Sequence, residues 1–544
     1  MLLHSAAASS CPLKTSYTFT PGLEPPPPPP PPQWSVDHRG FATEVLDEVA
    51  RTGGRVVDLR GLRDVPTADQ EAACLRALRE GADVVIGGRL PSSGHRAGRP
   101  DLLVRTPTGY LPGVVRAYRM FESKADDTTT VVSRLGSLGT AEALPRIRLR
   151  WRYRWHLVLR LAHYHRLLQP LGLADERAHG LLVGNDPLDD YGQVAIWVDL
   201  TEAALPRAGG QPAGDTQATS ALERYDFEFA RRVELAEQAL AGGPAPAPIR
   251  TRECDRCPWW PVCLPRFDPD DLSLQLAKLP LDAHEVATLR GAGVTTVAEL
   301  AAAELDALLP GYLEQVTHRT GAEERLRLAQ RRAGLVHSGV QLERLDAGPI
   351  ELPSATLEID FDLETSATER IYLWGFWVTD ARTGGSSYHQ VSDFRHLERA
   401  DELELAVRAL SWLRELTASA DALVYHYSAY ERDQIDRLAR ALRHPVLEWA
   451  AEYSREHFVD LFPIVRQHFF GTEGLGLKVV ASAGAGFAWR DADPGGLNSM
   501  RWFKDAIDAE SAEEREQART RVLEYNEDDV RATWHVRRWL RSLA

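Results

Sequence analysis

The 544-residue sequence lacks several features that would each define a class of protein. It has no apolar stretch of roughly 18 residues, the length that a membrane-spanning helix needs, so no membrane partner is expected. It has no excess of positive charge, since 63 Lys and Arg against 78 Asp and Glu give a net charge of −15. This balance argues against a nonspecific nucleic-acid coat but permits a local basic surface. The opening MLLHSAAASSC has no basic n-region, so we expect a cytoplasmic protein, with a signal segment ending at Cys11 as the alternative.

Cysteine is also scarce, because five in a chain of this length are too few for a disulfide scaffold. Three of them form the pattern Cys254-x2-Cys257-x5-Cys263. Thiolates this close suit one soft metal ion or a metal cluster, and a fourth ligand must then come from elsewhere in the chain. Cys11 and Cys74 are the two candidates. Zinc and a [4Fe–4S] cluster both accept four thiolates, so composition leaves both open.

The first part of the chain predicts an insert, short strands and a hairpin. Pro25–Pro32 is a run of eight prolines, which must adopt polyproline II and therefore predicts a spacer or surface insert. A helical pattern over residues 41–50 precedes RVVDL and ADVVIGGRL, which have the composition of short strands. GRPDLLVRTPTGYLPGVVRAY predicts a β-hairpin with Asp101 at the start of its first strand and Gly109 in the turn.

The most basic segment is RIRLRWRYRW, within residues 145–168, where arginine alternates with apolar and aromatic residues. One arginine face is suited to follow phosphates while the aromatics stack on bases. The alternative is a solvated arginine face over aromatics that pack a core. Further on, Ala241–Pro248 breaks the periodicity, and LRGAGVTTVAELAAAELDALL predicts two helices about a GAGV turn, similar to a helix-hairpin-helix.

The stretch Leu357–Thr365, LEIDFDLET, alternates apolar with acidic residues and predicts a strand with one apolar and one carboxylate face. Its four acids repel one another and call for a compensating cation, and hard carboxylate oxygens suit Mg²⁺ or Mn²⁺. A solvated amphipathic edge strand is the alternative. The strand-like IYLWGFWV, SSYHQVSDF and ALVYHY follow, interspersed with helical patterns, so we expect a mixed sheet flanked by helices.

Further acids follow in the C-terminal part. Glu431 comes after the ALVYHY strand, and Tyr525 and Asp529 lie four residues apart in a closing helix predicted over residues 512–543. Residues at i and i+4 share one helical face, so Tyr525 and Asp529 point into one site. Two-metal phosphodiester hydrolysis uses such a carboxylate set to bridge two ions, and a tyrosine can orient the attacking water.

These C-terminal motifs resemble the DEDDy branch of the RNase H-like 3′–5′ exonucleases. The resemblance rests on FDLET, YLWG, YHYSAYE, DLFPIV, GLGLK and YNEDDV, in that order. It implies that two Mg²⁺ or Mn²⁺ ions are bound by four acids, with Tyr525 as a catalytic residue. Those acids are Asp362, Glu364, Glu431 and Asp529. Glu431 stands where the family more often has the shorter Asp.

Polar residues near the four implied metal ligands are expected to have other roles. Asp528 adjoins Asp529 but should point elsewhere on the helix, whereas Asp360 lies on the ligand face of its strand and is a reserve ligand. Lys478 contacts substrate phosphate or is an ordinary surface lysine. His426 and His389 are expected to be strand residues rather than metal ligands.

The N-terminal motifs resemble the iron–sulfur RecB-type nucleases, which have a PD-(D/E)xK fold. The resemblance rests on Cys11-Pro12, the Asp101 hairpin, the helix with Tyr164 and the closing cysteine pattern. It implies a [4Fe–4S] cluster, with Zn²⁺ as the alternative, and makes Cys74 a core thiol. The implied ligands are Cys11, Cys254, Cys257 and Cys263.

The chain departs from this family at the expected catalytic positions. Asp101 matches the first acid, but Val114 and Arg116 stand where the second strand should carry an acid and a lysine. Glu122 and Lys124 are a candidate shifted substitute for that pair, and Arg160 replaces the usual glutamine before Tyr164. These departures predict either a displaced catalytic site or a degenerate module that binds DNA.

Together these patterns predict an α/β multidomain protein. Residues 1–268 form a restriction-endonuclease-like RecB domain, residues 269–350 a helix-hairpin-helix-like bridge, and residues 351–544 an RNase H-like domain with a mixed sheet. The predicted activity is metal-dependent phosphodiester hydrolysis, as a 3′–5′ exonuclease in the C-terminal domain, with DNA favoured over RNA as the partner. The alternative is a non-catalytic nucleic-acid-binding scaffold in which both nuclease folds have decayed.

Overall fold

The computed structural model describes residues 1–27, 33–52, 54–123, 128–145, 147–185, 187–188, 191–212, 218–276, 278 and 281–543. Residues 28–32 of the proline run and the predicted site residue Lys124 lie outside these ranges. The chain forms two compact units, Met1–Arg331 and Arg332–Ala544, and a separate bridge over residues 269–350 stays a prediction. Throughout the described ranges, every helix is too short or too polar to cross a membrane.

The first unit is built on an eight-stranded mixed sheet in the order β1-β2-β5-β6-β11-β12-β8-β9. The strands of this unit are β1 (Val56–Asp58), β2 (Val84–Ile86), β3 (Leu90–Ser93), β4 (Arg96–Gly98), β5 (Leu102–Arg105), β6 (Tyr110–Val115), β7 (Phe121–Ser123), β8 (Thr129–Arg134), β9 (Glu142–Pro145), β10 (Ile147–Leu149), β11 (His179–Val183), β12 (Val194–Asp199), β13 (Leu205–Pro206) and β14 (Ala218–Thr219). The predicted hairpin is confirmed: β5 and β6 pair antiparallel, from Leu102 opposite Gly113 to Arg105 opposite Tyr110. All six residues of β6 are buried, as expected for an apolar strand inside a sheet.

The helices of this part are α1 (Pro12–Phe19), α2 (Gln33–Arg51), α3 (Thr67–Arg79), α4 (Trp151–Leu168), α5 (Ala221–Leu240), α6 (Trp260–Cys263), α7 (Leu272–Gln275), α8 (Ala283–Gly291), α9 (Val297–Ala302), α10 (Leu305–Gln315) and α11 (Ala322–His337). The predicted pair of helices about the GAGV turn is present as α8 and α9. The continuous arginine face predicted for RIRLRWRYRW is wrong. The backbone changes from strand β10 to helix α4 at Arg150, and a helix distributes successive side chains around its axis.

The second unit contains a five-stranded sheet in the order β18-β17-β16-β19-β20. Its strands are β15 (Leu342–Arg344), β16 (Leu357–Thr365), β17 (Ile371–Asp380), β18 (Gly385–Ser392), β19 (Ala422–His426), β20 (Phe458–Asp460) and β21 (Phe469–Gly471). The pairs β16–β17 and β17–β18 are antiparallel, whereas β16–β19 and β19–β20 are parallel. Because β16 is the central strand, the solvated edge-strand alternative is wrong.

Helices flank this sheet, as predicted. They are α12 (Arg399–Thr417), α13 (Tyr430–Ala441), α14 (Pro445–His457), α15 (Leu461–His468), α16 (Leu477–Ala483), α17 (Gly496–Asp508) and α18 (Ala512–Ser542). The apolar face of β16 packs into a core with α12 and α14, where Phe361 stacks on Phe376 at 5.1 Å between ring centroids. The opposite, acidic face lies against α18, which begins with a capping box between Ser511 and Glu514.

Candidate metal-dependent catalytic site

Three acids converge between β16 and α18. The pleat of β16 puts Asp362 and Glu364 on one face, and α18 brings Asp529 to them from the end of the sequence. Each of the three offers a carboxylate oxygen, and these oxygens lie within 4.8 Å of one another. This spacing allows the three carboxylates to share divalent cations, so the donor set fits the predicted Mg²⁺ or Mn²⁺.

The acids of this triad are held in a state that favours a cation or a proton. Burial raises the pKa of Asp362 well above its ordinary value, and the nearby charges of Glu364 and Asp529 raise it further. Burial and the charge of Asp529 raise the pKa of Glu364 to about 8. Burial also raises the pKa of Asp529, although Lys478 acts in the opposite direction. A bound cation or a proton would therefore stabilise the triad.

Neutral donors fix the orientation of Asp362 and Glu364. Asn526 donates from Nδ2 to Oδ2 of Asp362 at 2.8 Å, and its own Oδ1 accepts from the Tyr388 hydroxyl at 2.8 Å. Ser499 donates from Oγ to Oε2 of Glu364 at 2.7 Å. These bonds hold each carboxylate in place without neutralising it, as outer partners of metal ligands do.

One glycine makes room for this arrangement. A Cβ atom added to Gly375 on β17 would lie 1.8 Å from Oδ1 of Asn526, far inside van der Waals contact. Gly375 is opposite Asp362 in the β16–β17 pair. Because Gly375 has no side chain, Asn526 can reach the carboxylate of Asp362.

Asp529 and Tyr525 have partners from the segment before α17. The Trp489 indole donates from Nε1 to Oδ1 of Asp529 at 2.6 Å. Lys478 donates from Nζ to the Tyr525 hydroxyl at 2.9 Å and lies 4.7 Å from the centre of its ring. Burial and the charge of Asp529 raise the pKa of Tyr525, so this tyrosine stays protonated. Lys478 is thus half-buried against the predicted catalytic tyrosine rather than an ordinary surface lysine.

Glu431 lies beside the triad, in the first turn of α13. Its charge contributes to the raised pKa of Asp362, and its oxygens lie outside the 4.8 Å group. Oε2 of Glu431 is 3.3 Å from Nδ1 of His426, which lies 2.6 Å from the Ser428 carbonyl. His426 is a buried strand histidine, and His389 stacks on Trp412 at 3.8 Å.

Two neighbouring acids are engaged by arginines. Both oxygens of Asp360 accept from Arg537, at 2.9 Å from Nε and 2.7 Å from Nη2, so the expectation that Asp360 is a reserve ligand is wrong. Asp528 points away from the triad as expected, and it accepts from the backbone and side chain of Arg490. The sequence pattern separates Asp528 from the triad but not Asp360, because Arg537 lies far from Asp360 in the chain.

Asp101 and Glu122, two of the predicted N-terminal site residues, each pair with an arginine. Oδ2 of Asp101 accepts from the backbone of Val115 at 2.9 Å and from Nη1 of Arg116 at 2.8 Å. Glu122 lies on β7, in the two-stranded sheet with β10, and pairs with Arg148. With Lys124 undescribed, the shifted substitute stays a prediction.

The cysteines that are predicted to bind a cluster line one small cavity of about 10 Å³. The lining includes Cys11, Cys254, Cys257 and Cys263, together with Trp259, Trp260 and Lys14. Burial raises the pKa of the Cys11 thiol to about 11. Cys74 is fully buried in the core of the first unit, as expected of a core thiol.

Sequence reasoning missed the residues that orient the triad. Asn526 lies within the YNEDDV motif, but adjacent residues of a helix point in different directions, so Asn526 is not expected on the face of Tyr525 and Asp529. No spacing rule links Asn526 to Asp362. Ser499 and Trp489 lie more than a hundred residues after β16 in segments without a motif, so only the folded chain brings them to the acids.

Comparison with known protein families matches residues 359–541 to the RNase H superfamily. The matched segment contains the whole triad and confirms the RNase H-like part of the predicted fold. Searches of curated proteins and of solved structures found no match. The C-terminal unit therefore contains an RNase H-like domain, a fold that uses two divalent metal ions and suggests a metal-dependent nuclease acting on nucleic acid.

Proposed function

We propose that the RNase H-like domain is a 3′–5′ exonuclease that hydrolyses phosphodiester bonds with two Mg²⁺ or Mn²⁺ ions. The observation that carries the proposal is the triad of half-buried Asp362 with buried Glu364 and Asp529, whose oxygens lie within 4.8 Å of one another. Buried carboxylates at this distance are unfavourable unless a cation or proton compensates them. Polarity from the 3′ end and a preference for DNA rest on the resemblance to the DEDDy branch.

The residues around the triad have distinct roles in this proposal. Asp362, Glu364 and Asp529 hold the metal ions, and Glu431 contributes from the first turn of α13. Bound divalent ions would supply an activated water and a stabilised leaving oxygen. Tyr525 orients the attacking water from one helical turn before Asp529, with its hydroxyl fixed by Lys478.

We also propose that the first unit is a RecB-like module that binds nucleic acid and has lost its own catalytic site. The engagement of Asp101 by Arg116 supports this loss, because a metal ligand needs its oxygens unblocked. The four cysteines that line this small cavity fit a [4Fe–4S] cluster by donor type, and Zn²⁺ is the alternative. The module's part in the reaction is then to hold the substrate.

The competing function is a non-catalytic nucleic-acid scaffold. It would require that the acids of the second unit no longer serve metals. The convergence of the triad favours catalysis, since a decayed site has no reason to keep three converging acids and their orienting donors together. Decay of both nuclease folds therefore has less support than decay of the first alone.

End-labelled single-stranded DNA and RNA test the proposal, with wild type, Asp362→Ala and the control Glu527→Gln. Glu527 is on α18 and pairs with Arg490, so its substitution removes a charge from the same helix without touching the triad. We expect Mg²⁺-dependent shortening from the 3′ end by wild type and Glu527→Gln, and none by Asp362→Ala. Equal shortening by all three proteins would reject the site.

A further inference from the structure

The β5–β6 hairpin of the first unit carries a carboxylate that the chain already satisfies. Asp101 directly precedes β5, and its Oδ2 accepts from the backbone N–H of Val115 and from Arg116. The side chains of Asp101 and Arg116 are about three-quarters buried, at 26% and 30% exposure. A divalent cation at Asp101 would have to compete with the Arg116 guanidinium, so this location does not favour a metal.

A second arginine, Arg160, approaches the same location, where the charge of Asp101 acts on it without a direct ion pair among the described residues. Arg160 lies on α4, which packs against β6, and it makes no hydrogen bond or ion pair with any residue in the described ranges. Its Nε atom is fully buried and has no partner. Burial, followed by the charge of Arg116, lowers the pKa of Arg160, although it stays far above neutrality. A partly buried cation without a direct ion pair is unfavourable, so a bound anion would stabilise Arg160.

The neighbouring residues His156 and Arg154 do not add a negative charge at this location. His156 lies one helical turn before it, and burial, followed by the charges of Arg160 and Arg154, lowers the pKa of His156 to about 4, so the imidazole is neutral at pH 7. Arg154 donates to the Arg119 carbonyl at 2.8 Å and lies 4.8 Å from the ring centre of Tyr118. The hairpin location thus combines one carboxylate with an excess of cations.

We propose that Arg116 and Arg160 bind a phosphodiester group of nucleic acid at the β5–β6 hairpin, in place of a divalent cation. The guanidinium group matches phosphate with paired N–H donors, and the phosphate supplies the negative charge that Arg160 lacks. The inference rests on the proposed function, which provides nucleic acid as the ligand. It assigns Arg116 and Arg160 as the residues with which the first unit binds the phosphate backbone. The contact adds affinity that does not depend on base sequence.

The test measures binding of a fluorescein-labelled single-stranded DNA oligonucleotide, and its RNA counterpart, to the full chain in EDTA. All proteins carry Asp362→Asn, which prevents degradation, and the additional variants are Arg160→Met, Arg160→Lys and Arg55→Met. Arg55 is the matched control because it is an exposed arginine paired with Glu80. For each lost phosphate contact we expect affinity to fall about five-fold at 0.1 M salt and the log–log salt slope to decrease by about 0.7.

Thermal unfolding without nucleic acid separates a binding role from a structural one. Arg160→Met should raise Tm, because it removes an unpaired, partly buried charge, whereas a structural arginine would lower Tm on substitution. Arg160→Lys should keep the salt slope, because it keeps the charge, and lose part of the affinity with the paired N–H donors, whereas Arg55→Met should keep both. The inference would be overturned if Arg160→Met left affinity and salt slope unchanged, or if it lowered Tm. It would also be overturned if the parent chain did not bind the oligonucleotide, or bound it only with Mg²⁺. Cleavage of the oligonucleotide by Asp362→Asn would instead refute the proposed catalytic site. The affinities of the arginine variants could then still be compared at times too short for cleavage.

Discussion

Replacing Glu364 by glutamine should stabilise the metal-free chain at alkaline pH. Burial and the charge of Asp529 raise the pKa of Glu364 from 4.5 to about 8. Between these values the folded state keeps a proton that the unfolded state has released, so the free energy of unfolding falls as pH rises. For a shift of this size the loss is on the order of 4 kcal/mol by pH 8. Glutamine has no proton to lose, and its carbonyl can still accept from Ser499.

Urea unfolding of wild type and Glu364→Gln in EDTA, from pH 5 to pH 8, measures this difference. The wild type should lose stability relative to the variant as pH rises, and excess Mg²⁺ should restore the wild type because metal binding selects the ionised acids. Glu364→Gln should respond weakly to Mg²⁺, and Glu527→Gln should behave as wild type. A wild type that gains stability relative to Glu364→Gln between pH 5 and pH 8 would refute the reasoning.

Three further substitutions test the surroundings of the triad and the cysteine cavity. Gly375→Ala should lower the rate of cleavage roughly 10- to 100-fold, because the new Cβ atom displaces Asn526 from Asp362. An unchanged rate would contradict the role of Asn526 in positioning Asp362. Tyr525→Phe should keep the fold, since the buried ring is retained, and lower kcat roughly 10²- to 10⁴-fold, as measured on end-labelled DNA. Cys254→Ser should remove the visible absorption of anaerobically purified protein, whereas Cys74→Ala should retain it; a colourless wild type with stoichiometric zinc would reject the cluster.

The sequence predicted those parts of the site that follow from local periodicity. Alternation in Leu357–Thr365 predicted the strand and its acidic face, and i, i+4 spacing brought Tyr525 and Asp529 to one side of α18. The hairpin after Asp101 followed from turn composition in the same way. Patterns of this kind depend only on backbone geometry, so they are visible in a single segment.

The parts that the sequence did not reveal depend on contacts between distant segments. Asp360 has the same strand parity as Asp362, and only the approach of Arg537 from α18 removes it from the ligand set. Alternation over RIRLRWRYRW predicted one arginine face because nothing in the pattern marks the change to helix at Arg150. Partner identity and secondary-structure boundaries of this kind are decided by tertiary packing.

Anomalous diffraction from crystals of the full chain grown with Mn²⁺ tests the central claim most directly. We expect two Mn²⁺ ions about 4 Å apart, bound between Asp362, Glu364 and Asp529, and their loss in Asp362→Asn. The same map would report whether Glu431 is a ligand. Absence of Mn²⁺ from the triad in well-ordered crystals of the wild type would contradict two-metal hydrolysis by this domain.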